Sequence, residues 1–150
     1  MAIYASGILC KDVLEETMQD GQRVFSAIRI IDTIEVDLPE IPVSGEVTYV
    51  AFAIPCFALL VFKSDEPEEF DVVWTAIRPD GPRIALGPYR CSTGGGLSGH
   101  ILKVTLNIPP QLTGLWWFEV AVRGELKLRM PLSLIREQNP APSESHSSST

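Results

Sequence analysis

The residues that could form a catalytic site are concentrated between Arg90 and His100. His100 is the only histidine before the serine-rich C-terminal segment, so a Ser–His or Cys–His nucleophile would have to be built on it. Ser98 lies two residues earlier and would share a face with His100 if the following strand began early. Neither Ser98 nor Cys91 has a spacing that implies a hydrogen bond to His100. The sequence therefore predicts no catalytic residue.

A glycine-rich segment, GGGLSG at residues 94–99, formally matches the dinucleotide pattern G-x-G-x-x-G. That pattern binds phosphate where it opens a helix. Here residues 101–108 alternate between apolar and polar side chains like a strand, so we predict a loop between two strands. As an alternative, this loop could bind a small ligand through Arg90, Ser98 and His100.

The chain has three cysteines, Cys10, Cys56 and Cys91, which are scattered and show no Cys-x-x-Cys pairing. We predict free, buried thiols, no metal site and no other cofactor, because metal ligands would have to converge from distant positions. Lys11 could activate the neighbouring Cys10 thiol, although adjacent strand residues point to opposite faces.

The protein is acidic, with 19 Asp and Glu against 12 Lys and Arg and a net charge of -7. This charge repels phosphate backbones, so we expect no nucleic acid and no anionic membrane as the main partner. Five acids cluster between Asp65 and Asp71, where we predict a solvated connection between strands. The alternative is a cation site or a binding surface for a basic partner.

An uncharged run at residues 47–62 is too short for a membrane helix, which needs about 20 apolar residues, and it contains Pro55. We predict buried strands there instead. The N-terminal residues lack a basic leader followed by an apolar run, which predicts a cytoplasmic protein without an export signal.

Strict alternation of apolar and polar side chains through residues 115–134, interrupted by Gly124, predicts a β-hairpin. Similar patterns predict strands at residues 3–10, 24–31, 46–54, 56–63, 70–78, 83–90, 101–108, 115–123 and 126–135. The sequence PDGP at residues 79–82 predicts a tight turn, and residues 12–20 a helical turn or a hairpin-like connection.

Amphipathic strands joined by short turns bury their apolar faces against a second sheet. The fold class predicted is therefore all-β, an immunoglobulin-like two-sheet antiparallel β-sandwich of about seven to nine strands. We assign residues 1–137 to this domain and residues 138–150, which lack apolar side chains larger than alanine, to a disordered tail.

Trp116 and Trp117 are consecutive, so only one of them can face the core of a sandwich. The alternation assigns Trp116 to the core. Trp117 shares the other face with Glu119 and Arg123, where it packs beneath a loop or strand or forms part of a binding surface. An aromatic side chain beside arginine is typical of protein interfaces, so these three residues are our candidate site for a protein partner or self-association.

Several short motifs resemble an uncharacterised family of small bacterial all-β proteins, a domain of unknown function. They are ILCKDV at residues 8–13, Asp20 with Gly21, the segment 28–34 with Asp32, and RPDG at residues 78–81. Members of that family carry a Leu-Cys-Asp-Asp-Val-like strand and a Pro-Asp-Gly hairpin turn, whereas this chain has Lys11 at the first of the two Asp positions. The resemblance implies a β-sandwich and no established reaction.

These observations predict a non-catalytic cytoplasmic binding or assembly module with a protein partner, in which a small-molecule ligand is disfavoured and no enzymatic activity is expected. One alternative is a ligand-binding protein or enzyme that uses the glycine-rich loop at residues 90–100. The other is a structural subunit of a phage-like or secretion assembly.

Overall fold

The structure, a computed structural model, describes residues 2–36, 53–96 and 98–136. Over these ranges the chain is all β and contains nine strands. Their bounds are β1 Ile3–Thr17, β2 Arg23–Ile30, β3 Thr33–Val36, β4 Ile54–Ser64, β5 Pro67–Ile77, β6 Arg83–Gly94, β7 His100–Ile108, β8 Gly114–Val122 and β9 Glu125–Arg136. The predicted strand 46–54 falls almost wholly outside the described residues, as does the predicted tail 138–150.

The strands form two sheets, which confirms the predicted two-layer sandwich. The four-stranded sheet has the order β2-β1-β4-β7, and the five-stranded sheet has the order β3-β9-β8-β5-β6. One pairing differs from the antiparallel prediction, because β3 runs parallel to β9. Thr33 lies just after Ile31, whose N–H still donates to Leu9 O at 2.9 Å, so the chain leaves one sheet and enters the other within two residues.

At two places the strands extend further than predicted, because continued pairing is favourable. β1 extends to Thr17 because residues 12–17 pair with β2, and the connection is a tight turn in which Gly21 N donates to Met18 O at 2.9 Å. Of the two alternatives predicted for residues 12–20, the hairpin-like connection is therefore the one observed, and the helical turn is not. In the acidic segment, Asp65 and Glu66 form the exposed connection that was predicted, whereas Glu68, Glu69 and Asp71 belong to β5, where Asp71 lies opposite Arg90.

The core lies between the inner faces of the two sheets, and the predicted alternation identifies most of it. Trp116 is buried as predicted, and its ring stacks on Phe118 at 6.3 Å between centroids. The Trp74 ring also stacks on Phe118, at 5.2 Å between centroids. Leu126 is an exception: it follows a register shift in the β8–β9 pair and is exposed.

A β-bulge interrupts the pairing of β5 with β6. Val72 pairs with Tyr89 and Trp74 pairs with Leu86, so Val73 alone lies opposite Gly87 and Pro88. Gly87 has φ +105°, and a Cβ there would lie 3.1 Å from Val72 O. The bulge therefore needs glycine at this position.

The uncharged run is described from residue 53 onward, where it forms β4, and its earlier part lies outside the described residues. In the described part of the chain, no helix is long and apolar enough to cross a membrane.

Candidate functional site

An apolar cleft of about 270 Å³ lies between the edge strands β6 and β7, which belong to different sheets. We call it the inter-sheet cleft. Ile84 and Leu86 contribute from β6, Leu106 and Ile108 from β7, and the Trp74 ring from β5. The polar residues that line the cleft are few, and Thr105 and Asn107 among them are exposed on β7.

The cleft exists because the described residues do not cover the inner face of β6 along its whole length. Leu86 lies opposite Trp74 and Ile84 lies opposite Ala76 in the β5–β6 register, so both side chains face the sandwich interior. Even so, Ile84 is 45% exposed and Leu86 is 39% exposed. Beyond the bulge, Cys91 is on the same face and fully covered. The uncovered part of β6 is therefore confined to one side of the bulge.

Trp74, whose side chain contributes to the cleft lining, carries a buried polar atom. Its indole Nε1 has no hydrogen-bond acceptor among the described residues. The Nε1 of Trp116 contrasts with it, because that N–H donates to Leu112 O at 2.9 Å. A buried donor without an acceptor costs roughly 1–3 kcal/mol, so such groups are uncommon in closed cores.

Arg78 lies at the end of β5 and also lines the cleft. Its Nε and Nη2 donate to Asp80 Oδ1 and Oδ2 at 2.9 and 2.6 Å, and this pairing lowers the pKa of the Asp80 carboxyl. The predicted turn at residues 79–82 is confirmed, because Arg78 N donates to Pro82 O at 3.0 Å and Gly81 N donates to Arg78 O at 3.0 Å. The turn thus fixes an arginine beside an apolar cavity.

The predicted partner site is only partly brought together. Trp117 and Glu119 share the outer face of the five-stranded sheet, where the Arg129 guanidinium lies 3.9 Å above the Trp117 ring. Glu119 accepts a hydrogen bond from Arg83 Nη1 at 3.0 Å.

Arg123 lies apart from that pair, in the β8–β9 turn, with φ +51°. Its Nη2 donates to Glu68 Oε2 at 2.7 Å and to Glu69 O at 3.0 Å. The three residues therefore form no single patch, and their role in binding stays a prediction.

The alternative ligand loop does not converge either. Arg90 donates to Asp71 at 3.3 Å and to Glu69 at 3.1 Å on the outer face, and these carboxylates raise its pKa. His100 begins β7, and its Nδ1 accepts from Ser92 N at 3.4 Å. Ser98 closes a tight turn in which its N–H donates to Gly95 O at 3.1 Å. The three side chains thus have separate surroundings.

The cysteines are free and buried, as predicted. Burial raises the pKa of the Cys56 and Cys91 thiols to about 11 and also raises the pKa of Cys10. Burial thus works against the idea of an activated Cys10 thiolate. Within residues 2–36, 53–96 and 98–136, no group of three or more His, Cys, Asp or Glu side chains could hold a metal ion.

Sequence reasoning missed the inter-sheet cleft, although one signal was available. Gly87 and Pro88 fall inside the predicted strand 83–90, and these two residue types within a strand indicate an edge position or a bulge. Which apolar residues such a bulge uncovers depends on the strand in the opposite sheet, and the pattern of β6 alone does not contain that information.

No family model and no curated protein matches this chain, so the resemblance to the bacterial all-β family stays a prediction. Among solved structures, the chain is similar to the Pseudomonas fluorescens alkylpurine DNA glycosylase AlkC bound to DNA containing an abasic site analog. The TM-score is 0.50 at 12% sequence identity, and the match covers 86% of this chain and 30% of the glycosylase chain. At this identity the likeness shows a shared fold.

This comparison contradicts the predicted function. We expected a non-catalytic cytoplasmic binding or assembly module because the sequence showed no recognisable set of catalytic residues and predicted a sandwich. That prediction was wrong, because a solved structure that shares this fold is an enzyme bound to DNA. A sandwich fold is therefore no ground for excluding catalysis, and function has to be argued from the site.

Proposed function

We propose that the protein binds a small, predominantly apolar molecule in the inter-sheet cleft. The observation that carries this proposal is the uncovered inner face of β6, where Ile84 and Leu86 face the sandwich interior and stay largely exposed. Covering apolar surface with a ligand gains roughly 25 cal/mol per Å². The cleft is also concave and mostly apolar with a few polar groups, which are the properties of small-molecule sites.

The size of the cleft limits the ligand. Small-molecule sites usually measure about 300–1,000 Å³, and an apolar cavity of about 150 Å³ is large enough for benzene. The 270 Å³ of this cleft therefore suit a single ring with a short chain, or one medium-length alkyl chain.

The DNA in the glycosylase structure suggests nucleic acid as another ligand, and the charges of this chain oppose it. The net charge is -7. Arg83, Arg90 and Arg123 each pair with carboxylates of their own sheet. Phosphate contacts need cations that are not already neutralised. We therefore prefer the apolar ligand.

The experiment is a calorimetric titration of the purified protein with octanol. Each buried methylene contributes about 0.8 kcal/mol, offset by the cost of association, so we expect a dissociation constant in the millimolar range or below. Leu86→Trp fills the cleft and should weaken binding by about tenfold or more. The proposal would be contradicted if octanol bound to neither the wild-type protein nor any variant.

Leu115→Trp is the matched control. Leu115 is 45% exposed and pairs with Ser133 on the five-stranded sheet, away from the cleft lining. The same leucine-to-tryptophan change at this position should leave the affinity for octanol unaltered. Equal weakening by both substitutions would mean that octanol binds to apolar surface in general and would also contradict the proposal.

A further inference from the structure

The charges around the inter-sheet cleft define the class of its ligand, an inference that rests on the proposed function. Of the described residues that line the cleft, Arg78 is the single charged one, and no Asp or Glu lines it. A cationic ligand would find no carboxylate in this lining with which to pair. An anionic ligand would find one guanidinium at an otherwise apolar site.

The geometry of Arg78 leaves part of its guanidinium for a ligand. The Asp80 carboxylate accepts from Nε and Nη2, and in the part of the chain that the structure describes Nη1 has no hydrogen-bond acceptor. The Asp80 side chain is about half exposed, so it can exchange this pairing for water. A ligand carboxylate could therefore bind at Nη1, or replace Asp80 in a two-bond contact.

We propose that the natural ligand is an amphipathic monocarboxylate whose apolar chain or ring fills the inter-sheet cleft and whose carboxylate accepts hydrogen bonds from Arg78. Asp80 is then an internal competitor for the guanidinium. Arg78 sets specificity for the acid, whereas Ile84, Leu86 and Leu106 supply affinity that is the same for any ligand with an equal chain.

The test compares octanoate, octanol and octylamine, which share a chain length and differ in charge. In the wild type we expect octanoate to bind roughly tenfold more tightly than octanol, and octylamine to bind more weakly than either. Arg78→Gln keeps the polar reach without the charge and should bring octanoate down to the affinity of octanol. Arg83→Gln removes a nearby arginine that pairs with Glu119, and it should preserve the preference.

A second variant tests the competition. Asp80→Asn should strengthen octanoate binding several-fold and leave octanol binding unchanged, because it frees the guanidinium without altering the cleft. Octanol that binds in the cleft without any preference for octanoate, or a preference that survives Arg78→Gln, would overturn this inference and leave the proposed function standing. Failure of all three probes to bind would overturn both.

Discussion

The two ends of the β5–β6 pair differ in what fills the space between the sheets. At the end near Gly94, a polar cluster of Ser64, Glu68, Thr93 and Arg123 closes the sandwich: the Ser64 and Thr93 hydroxyls hydrogen-bond to each other, and Arg123 pairs with Glu68. At the end near Arg83, the inner faces of β5 and β6 carry the apolar residues Ala76, Ile84 and Leu86, and among the described residues the space stays open as the inter-sheet cleft, which Arg78 also lines. The bulge at Gly87 and Pro88 separates the two ends.

Apolar residues on the inner face of a strand therefore do not by themselves make a closed core. Ile84 and Leu86 are more apolar than Thr93, yet Thr93 is buried and they are exposed. Burial depends on whether the opposite sheet reaches the same height. A strand pattern therefore identifies the side on which a residue lies more reliably than it identifies how well that residue is covered.

The largest expected effect on the free energy of unfolding comes from truncating one apolar residue at each end of the β5–β6 pair. Phe70 is buried near the polar cluster and packs edge-on against Phe62 at 5.6 Å between centroids. Phe70→Ala should lower the free energy of unfolding by about 3–5 kcal/mol in urea titrations, because it leaves a cavity. Leu86→Ala should cost less than about 1 kcal/mol. Similar losses at both sites would show that the cleft is packed like the core.

A smaller effect is expected at the bulge itself. Gly87→Ala combines a positive φ with a Cβ only 3.0 Å from Tyr89 N, so we expect a loss of about 2–3 kcal/mol in thermal or urea unfolding. Gly81→Ala is the control, since Gly81 has φ +109° and no heavy atom within 4 Å of its Cβ position. A larger loss at Gly81 than at Gly87 would mean that close approach of the backbones contributes nothing to the bulge.

The smallest effect concerns the polar cluster. The Glu68 side chain is 8% exposed, and its Oε1 has no hydrogen-bond partner among the described residues. Arg123→Met leaves this carboxylate without its cation, and we expect a loss of about 1–2 kcal/mol from urea unfolding.

Arg90→Met serves as its control, because Arg90 pairs with the exposed Glu69 and Asp71. That change should stay within about 0.5 kcal/mol, as expected for surface ion pairs. If Arg123→Met proves equally mild, the polar cluster does not stabilise its end of the sandwich.

The sequence predicted those parts of the fold that depend on a single strand or hairpin. Alternation placed Trp116 in the core, and the sequence PDGP placed residues 79–82 in a tight turn. It did not predict the parallel β3–β9 pair, because a four-residue strand carries too little pattern to choose a partner in the other sheet. Arg123 was assigned to the same face as Trp117 because alternate residues of a strand share a face. This rule fails at Arg123, where the backbone turns with φ +51°.

The candidate site was the least predictable feature for the same reason. Its lining comes from β5, β6 and β7, and its opening depends on two edge strands in different sheets. Each of these strands has the alternating apolar and polar pattern of an ordinary amphipathic strand. Asp80 was predicted to lie in a turn and Arg78 at the end of the preceding strand, whereas the proximity of Arg78 to the cleft required the structure.

The bulge also limits how other copies of the molecule can pair with β6. β6 is an edge strand, and a long regular edge offers a row of unpaired N–H and C=O groups on which another chain can pair. Pro88 has no N–H to offer, and Gly87 turns the backbone out of the extended conformation at the same point. The irregularity that borders the cleft thus also shortens the stretch of β6 on which fibrous aggregation could begin.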